Sequence, residues 1–273
     1  MGVIAPKGSG KTTLAVRLIQ ELRRRHENVV AFDFMYEDGY AAACEDLVIG
    51  SPADLWGAMH ADEFSICYRP SEYDPVSGEC PGFNEFCRLA FRRGNLWVIV
   101  DEAHQFCNPH RIPRDLLAIA RLGRHQRVSL LYITQSFTAV ERSLTMNTNL
   151  FAFFKVIDPR DLDGIRARCG PDTAEAVAGL RKLDIAGQVE GQMLIWSDQV
   201  GRSQVISPQT FSLTAFSLSG THNTHDKIRS AADLGETAPG GHIGAGTGGE
   251  RGGKPENSDT IPETSPDGPG YAL

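Results

Sequence analysis

The 273-residue sequence has none of the long apolar runs that would carry a chain across a membrane. Its longest apolar stretches, 96–100 and 128–133, have the length of strands, whereas a membrane-spanning helix needs roughly 18 apolar residues. No secretory signal peptide is visible before the first motif. We therefore predict a cytoplasmic location and no direct membrane span.

An excess of positive charge is also missing, because 27 basic residues are set against 34 acidic ones and the net charge is −7. A protein of this charge does not coat nucleic acid through bulk attraction, so any contact with nucleic acid must come from a local basic patch. The apolar fraction of 41% is ordinary for a globular chain and allows a core of normal size.

Cysteine pairs with the spacing of metal ligands are absent, although six cysteines are present: Cys44, Cys67, Cys80, Cys87, Cys107 and Cys169. The nearest approach to a metal cluster is His104, Cys107 and His110, with Cys80 and Cys87 upstream. Structural zinc sites need tighter ligand pairs than these. We expect reduced and mostly buried thiols rather than a zinc site.

Glycine and proline are concentrated in the last part of the chain, 219–273. This segment has 12 of the 28 glycines, five of the 15 prolines, four basic residues and eight acidic ones. Such a composition cannot bury enough apolar surface to offset the entropy of ordering. We predict a folded domain over 1–218 and a disordered, mildly acidic tail over 219–273. The tail is either passive or a tether for a partner, such as a capsid or portal-vertex protein.

Apolar strand patterns alternate with amphipathic helical patterns over the first 218 residues. The predicted strands are 29–34, 64–68, 96–100, 128–134, 150–157 and 192–196. The predicted helices are 11–26, 53–60, 83–93, 114–122 and 159–168, the last continuing to 180. This alternation predicts an α/β fold with a mostly parallel sheet covered by helices on both faces. The continuous apolar run 96–100 is typical of a central parallel strand.

The strongest motif is Ala-Pro-Lys-Gly-Ser-Gly-Lys-Thr-Thr at 5–13, which follows a short apolar run and opens a predicted helix. It resembles the P-loop of nucleoside triphosphatases, although Ala5 replaces the usual glycine and the preceding strand is short. Glycines let the backbone turn its N–H groups around phosphates, and the helix N-terminus adds partial positive charge. By this resemblance Lys11 reaches the β- and γ-phosphates of ATP, and the Thr12 hydroxyl binds Mg²⁺. The predicted nucleotide-binding residues of the loop are Gly8, Ser9, Gly10, Lys11, Thr12 and Thr13.

Two acidic residues follow the buried strand 96–100, in the pattern of a Walker B motif. Asp101, at the carboxyl end of the strand, is the predicted Mg²⁺-binding and nucleotide-site carboxylate. Glu102 is the predicted general base that polarises the attacking water. Ligands bind beyond the carboxyl ends of such strands, which favours a functional role for both acids.

Two other P-loop classes fit less well. Asp101-Glu-Ala-His104 spells the box of one helicase superfamily, but those helicases need two RecA-like domains, and about 218 folded residues do not hold both. A GTPase is disfavoured because no Asn-Lys-x-Asp base-reading motif occurs. A hydrolytic glutamate also argues against small-molecule kinases, which must exclude water.

The segment 119–163 resembles the HerA/FtsK superfamily of DNA-pumping ATPases. Residues 119–136 combine an arginine-containing helix end with an apolar strand that ends in Thr134-Gln135. The following Asn147-Thr-Asn149 and Asp158-Pro-Arg-Asp161 resemble the next strand and turn of that family. The resemblance covers roughly residues 1–200 and implies a RecA-like ATPase domain.

By this resemblance Gln135 is a polar sensor that contacts the γ-phosphate or the attacking water. Arg124 corresponds to an arginine that reaches the nucleotide of the neighbouring subunit, with Arg121 and Arg127 as rivals. Such an arginine finger raises the rate by about 10³–10⁵ in other systems. The predicted catalytic residues are therefore Glu102, Gln135 and Arg124, and a finger that acts in trans implies a homo-oligomer, expected to be a hexamer.

A bare ATPase domain of this size resembles the genome-packaging ATPases of tailless icosahedral viruses. The leading hypothesis is therefore ATP-driven translocation of double-stranded DNA into a capsid, in the host cytoplasm or in association with the virion. A conjugative or plasmid DNA pump is the alternative within the class. A different alternative is a nucleotide-gated switch that binds a protein and hydrolyses ATP weakly.

Overall fold

Buried apolar runs form the strands of the protein, and amphipathic stretches form its helices. The computed structural model describes residues 1–74, 80–185, 188–198 and 202–207. The strands are β1 (Gly2–Ile4), β2 (Val29–Phe32), β3 (Asp46–Gly50), β4 (Ser65–Pro70), β5 (Leu96–Val100), β6 (Val128–Thr134), β7 (Leu150–Phe153), β8 (Lys182–Ile185), β9 (Gln188–Gly191), β10 (Met193–Ser197) and β11 (Arg202–Ile206). The helices are α1 (Lys11–Arg24), α2 (Asp38–Ala43), α3 (Pro52–Ala58), α4 (Gly82–Arg93), α5 (Arg114–Gln126), α6 (Arg142–Met146), α7 (Pro159–Cys169) and α8 (Pro171–Gly179).

Nine strands form one sheet in the order β11-β10-β7-β1-β6-β5-β2-β4-β3, and β8 and β9 pair separately. The seven strands from β7 to β3 in this order are parallel, whereas β10 pairs antiparallel with β7 and with β11. This architecture confirms the predicted fold class, a mostly parallel sheet of RecA-like type flanked by helices.

Apolar side chains pack on both faces of the sheet, as expected for parallel strands covered by helices. On one face, α1 buries Leu14, Leu18 and Leu22, whose four-residue spacing places them on one side of the helix. The same cluster includes Ile99 of β5. The neighbouring Val98 packs in the opposite cluster, together with side chains of α4 and α5. Every residue of β5 is buried, which confirms the prediction of an interior parallel strand.

The strand order determines where the predicted motifs meet. The strand that leads into the P-loop, β1, is separated from the Walker B strand, β5, by β6 alone. All three strands are parallel, so their carboxyl ends lie at one edge of the sheet. The loops after β1, β5 and β6 therefore adjoin one another.

Several predicted elements differ from the observed ones. The helix predicted over 159–180 is two helices, because Gly170 has a φ of +94° and Pro171 supplies no N–H to continue the first helix. The strand predicted over 150–157 ends at Phe153. The sequence patterns missed α2, β3, α6, β11 and the β8–β9 pair. β3 is an edge strand with exposed Leu47 and Ile49, so its burial pattern is not that of a core strand.

The turn from α5 into β6 depends on Gly123. A Cβ at this position would lie 2.6 Å from the carbonyl oxygen of Val128, so the backbone would have to move. We expect Gly123→Ala to lower the free energy of unfolding by about 1–3 kcal/mol. The matched control is Gly57→Ala in α3, where a Cβ meets nothing within 4 Å. That change should be neutral or stabilise by up to about 1 kcal/mol, because alanine is the better helix former.

Urea unfolding of the two variants, followed by circular dichroism, measures this difference. The midpoint should fall for Gly123→Ala and should be unchanged or higher for Gly57→Ala. Equal midpoints for the two variants would contradict the steric explanation.

The predicted tail, 219–273, lies outside the described residues, so the boundary at 218 stays a prediction. In the part of the chain that the structure describes, no helix combines the length and the apolar character that a membrane crossing requires.

Candidate active site

The loop between β1 and α1 has the backbone of a phosphate-binding loop. Gly8 and Gly10 adopt φ values of +75° and +88°, which are accessible to glycine at little cost. The Ser9 hydroxyl donates a hydrogen bond of 2.6 Å to the carbonyl oxygen of Pro6 and closes the turn. Gly10 is the N-cap of α1, so the N–H groups of the first helical turn point toward the loop. This combination of turned amides and a helix N-terminus binds anions.

Lys11 connects this loop to the end of β5. Its ammonium group contacts the carboxylate of Glu102 and lies 3.9 Å from Asp101 Oδ1. The three side chains are largely buried, with 9–13% of each exposed. The structure thus brings together Lys11 of the predicted P-loop and both acids of the predicted Walker B motif, which are about 90 positions apart in the sequence.

Asp101 is buried and held from two sides. The hydroxyl of Tyr40 donates a hydrogen bond of 2.8 Å to its Oδ2, and the Glu102 N–H donates one of 2.7 Å to its Oδ1. Burial raises the pKa of the Asp101 carboxyl, and the charge of Lys11 and the Tyr40 hydrogen bond act in the opposite direction. Burial and the nearby Asp101 charge also raise the pKa of the Tyr40 phenol, so it remains a donor.

Sequence reasoning did not find Tyr40. This residue lies in the short helix α2, after β2, and β2 pairs directly with β5. One signal could have indicated it, because Tyr40 follows the carboxyl end of a strand that adjoins the predicted Walker B strand. A six-residue helix has too little periodicity for a pattern to reveal which of its side chains point inward.

Glu102 has an unusual backbone and one unsatisfied oxygen. Its φ of +45° and ψ of +44° are left-handed, which costs a non-glycine residue roughly 1–2 kcal/mol. Its Oε1 contacts Lys11 and accepts a hydrogen bond of 3.0 Å from the Gln135 amide. Its Oε2 is buried and has no hydrogen-bond partner among the described residues, although His104 Nδ1 lies 3.3 Å away. A buried carboxylate oxygen without a donor is costly, so this atom is ready to accept one.

Gln135 lies where the sequence predicts a sensor. It follows β6, the strand between β1 and β5, and its amide Nε2 reaches Glu102. The side chain is exposed, so it borders the space in front of Glu102 rather than capping the strand. The four side chains that the motifs predict for the phosphate end of the site therefore adjoin: Lys11, Asp101, Glu102 and Gln135.

The predicted Mg²⁺ ligands have suitable chemistry. Thr12, in the first turn of α1, offers a hydroxyl, and Asp101 offers a carboxylate, and Mg²⁺ prefers oxygen ligands. The Lys11 ammonium 3.9 Å from Asp101 shows that this buried carboxylate already attracts positive charge. These residues fit a magnesium ion shared with nucleotide phosphates.

Cysteine and histidine do not gather in the same way. Across the ranges that the structure describes, no three His, Cys, Asp or Glu side chains come together as a metal site. The cysteines are unpaired thiols, four of them buried and two partly buried. Burial raises the pKa of the Cys107 thiol to about 11, so it stays protonated near neutral pH.

Arg124 does not join the site of its own chain. Arg121, Arg124 and Arg127 are exposed where α5 ends and β6 begins. Gln135 follows the other end of β6, whose seven residues at about 3.3 Å each place the two ends roughly 20 Å apart. The three arginines line a cavity of about 430 Å³ at their end of the sheet. The trans role of Arg124 stays a prediction.

The sequence matches no model of a known protein family and no curated protein. Solved structures, however, share its fold. One is the genome packaging NTPase B204 from Sulfolobus turreted icosahedral virus 2 in complex with ATP-gammaS. It has a TM-score of 0.61 and 17% identity, and the match covers 75% of this chain and 94% of that one.

A second similar structure is B204, the DNA-packaging ATPase from Sulfolobus Turreted Icosahedral Virus. It has a TM-score of 0.59 and 17% identity, again over 75% of this chain and 94% of that chain. At this identity the likeness establishes a common fold. It confirms the expected resemblance to viral genome-packaging ATPases at the level of architecture.

Proposed function

We propose that the protein is an ATPase that drives double-stranded DNA into a viral capsid. The observation that carries the ATPase assignment is the meeting of Lys11, Asp101, Glu102 and Gln135 at one sheet edge. There a buried oxygen of Glu102 has no hydrogen-bond partner among the residues that the structure describes. The packaging assignment rests on the resemblance to HerA/FtsK-type pumps and on the fold shared with two viral genome-packaging enzymes.

Nucleotide binding is assigned to the loop and the start of α1. The amides of 8–13 surround the phosphates, and Lys11 leaves Glu102 to bind the β- and γ-phosphates. Thr12 and Asp101 would hold Mg²⁺, which would neutralise charge on the phosphates. The hydroxyl of Tyr40 keeps the Asp101 carboxylate oriented toward this position.

Hydrolysis is assigned to Glu102 and Gln135. Once Lys11 binds phosphate, the Glu102 carboxylate is free to accept a proton from water through its unsatisfied Oε2. Gln135 orients the same water, because its amide already lies 3.0 Å from Glu102 Oε1. A pure nucleotide switch needs neither group.

The position of Arg124 supports a ring of subunits. Because it lies roughly 20 Å from its own phosphate end, the only γ-phosphate it can approach belongs to another copy of the chain. A head-to-tail arrangement that closes on itself provides this contact, and we propose a hexamer.

DNA contact is assigned to the basic residues of 110–127 other than Arg124, the proposed finger; the only acidic residue of this segment is Asp115. Its arginines are all exposed: Arg111, Arg114, Arg121, Arg124 and Arg127. Contacts of this kind bind the phosphate backbone without regard to sequence. The segment 219–273 is proposed to tether a capsid or portal-vertex protein, in the host cytoplasm or at the virion.

Steady-state ATPase rates with and without long duplex DNA test the proposal. We expect stimulation by DNA of any sequence, and roughly four phosphate contacts should lose about 150-fold in DNA affinity between 50 and 200 mM salt. Lys11→Ala serves as the inactive control. Slow turnover that DNA leaves unchanged would contradict a pump and favour the nucleotide-gated switch.

Packaging and conjugation are separated by the genes that flank this one. A neighbouring gene for a double-jelly-roll coat protein supports packaging. Relaxase or pilus genes in that position would favour the conjugative alternative.

A further inference from the structure

The segment that directly follows Gln135 is anchored by one buried carboxylate. Asp161 Oδ1 accepts hydrogen bonds of 2.7 Å from the Ser136 hydroxyl, 2.9 Å from the Thr138 N–H and 2.7 Å from the Thr138 hydroxyl. Only 4% of Asp161 is exposed. A single oxygen therefore fixes the backbone and two side chains of the segment.

The charge of Asp161 is stabilised by these donors rather than by a cation. Within the described part of the chain, no basic side chain forms an ion pair with it. Asp161 lies in the first turn of α7, where the helix N-terminus favours negative charge. Hydrogen bonds to an ionised acceptor are roughly twice as strong as neutral ones, so the anchor is a strong one.

A second contact fastens the same segment to α7. Phe137 packs against Phe151 and Phe153. Its ring also lies close to Gly164 of α7, since a Cβ at Gly164 would come within 2.8 Å of the Phe137 ring. On the other side of Gln135, the Thr134 hydroxyl donates a hydrogen bond of 3.1 Å to the carbonyl oxygen of Ser136. The backbone around Gln135 is thus held from both sides, whereas its side chain is exposed.

We propose that Asp161 is a positioning residue for hydrolysis, which acts by holding Gln135 against Glu102. The inference rests on the proposed ATPase function. Gln135 has a long and exposed side chain, so only a fixed backbone places its amide 3.0 Å from Glu102 Oε1. Loosening the segment displaces the amide from the attacking water, while the phosphate loop and Asp101 are on other strands and stay in place.

The experiment compares Asp161→Asn with Asp163→Asn, a matched control on the same helix whose exposed carboxylate pairs with the nearby Arg166. We expect Asp161→Asn to lower kcat on the order of 10- to 100-fold, the scale of a small misplacement, and to leave KM for ATP within about twofold. Asp163→Asn should match the wild type. Thr138→Val, which removes one donor and keeps the side-chain shape, should give a smaller loss of kcat.

Repeating Asp161→Asn in a Gln135→Ala background distinguishes positioning from general stabilisation. If Asp161 acts through Gln135, the added substitution should change kcat less than about twofold, because coupled residues are non-additive. The inference would be overturned if Asp161→Asn lowered kcat by the same factor in both backgrounds, or if its kcat equalled that of the wild type. Either result would leave the ATPase assignment intact. Absence of hydrolysis by the wild type would overturn both.

Discussion

Glu102→Gln is expected to abolish ATP hydrolysis and to leave ATP binding intact. The substitution keeps the size of the side chain but replaces the carboxylate, whose Oε2 has no hydrogen-bond partner in the described part of the chain. An amide cannot accept a proton from water, and removing a general base typically lowers the rate by about 10²–10⁴. The phosphate-binding amides of 8–13 are not touched by this change.

Binding of ATP should even become tighter in this variant. In the structure Glu102 holds the Lys11 ammonium, so the carboxylate competes with phosphate for the same lysine. Glutamine removes this competition. Equilibrium binding of a fluorescent ATP analogue and steady-state hydrolysis, measured on one preparation, test both parts of the expectation.

The control for this prediction is Glu175→Gln, which makes the same chemical change on the exposed side of α8. It should hydrolyse ATP at the wild-type rate. Turnover that persists in Glu102→Gln would show that another group is the base. Loss of binding would show that Glu102 shapes the phosphate site rather than the attacking water.

The residues predicted from the sequence are those that carry a local signature. Lys11 stands in a glycine-rich loop before a helix, and Asp101 and Glu102 end an uninterrupted apolar run. Gln135 ends the next such run. The pattern placed the two acids and Gln135 directly after strands and Lys11 at the start of a helix. The strand order, with β6 between β1 and β5, makes these residues neighbours, and that order is a property of the fold.

The residues that the sequence did not reveal act across long separations. Tyr40 reaches Asp101 over 61 positions, and Asp161 reaches Ser136 over 25 positions. Tyr40 lies in no motif, and the Asp158-Pro-Arg-Asp161 motif predicts a turn without indicating a partner for Asp161. A tyrosine in a short helix and an aspartate in the first turn of a helix both have ordinary local explanations. Only tertiary packing shows that Tyr40 supports the carboxylate of the proposed metal site and that Asp161 supports the proposed sensor segment.

The break between α7 and α8 was not predicted for a different reason. Gly170-Pro171 is a recognised helix-ending signal, and the expectation of a helix over 159–180 gave too much weight to the apolar pattern on either side. The missed edge strand β3 could not be found in this way, since its large apolar residues are exposed.

Arg124→Ala is expected to inactivate the assembled enzyme although the residue is far from its own phosphate loop. If Arg124 completes the neighbouring site, its loss should reduce kcat by about 10³–10⁵. Arg166→Ala, which removes an exposed arginine from α7, is the matched control and should retain activity. The oligomeric state of each variant, measured by light scattering, separates loss of the finger from loss of the ring.

Mixing variants tests whether the arginine acts between subunits. In a random ring of Arg124→Ala and Lys11→Ala chains, about a quarter of the interfaces join an intact Lys11 to an intact Arg124, since a head-to-tail interface takes one residue from each chain. Each variant alone has no such interface. The mixture should therefore recover measurable ATPase activity.

Repeating the mixing with Arg121→Ala and Arg127→Ala identifies which of the three arginines is the finger, because only that variant should be both inactive alone and rescued by Lys11→Ala. A mixture without recovery would mean that the arginine does not act in trans. A strictly monomeric protein with full ATPase activity would remove the basis for a ring. Its active site would then be complete within one chain, without an arginine from the opposite edge of the sheet of another copy.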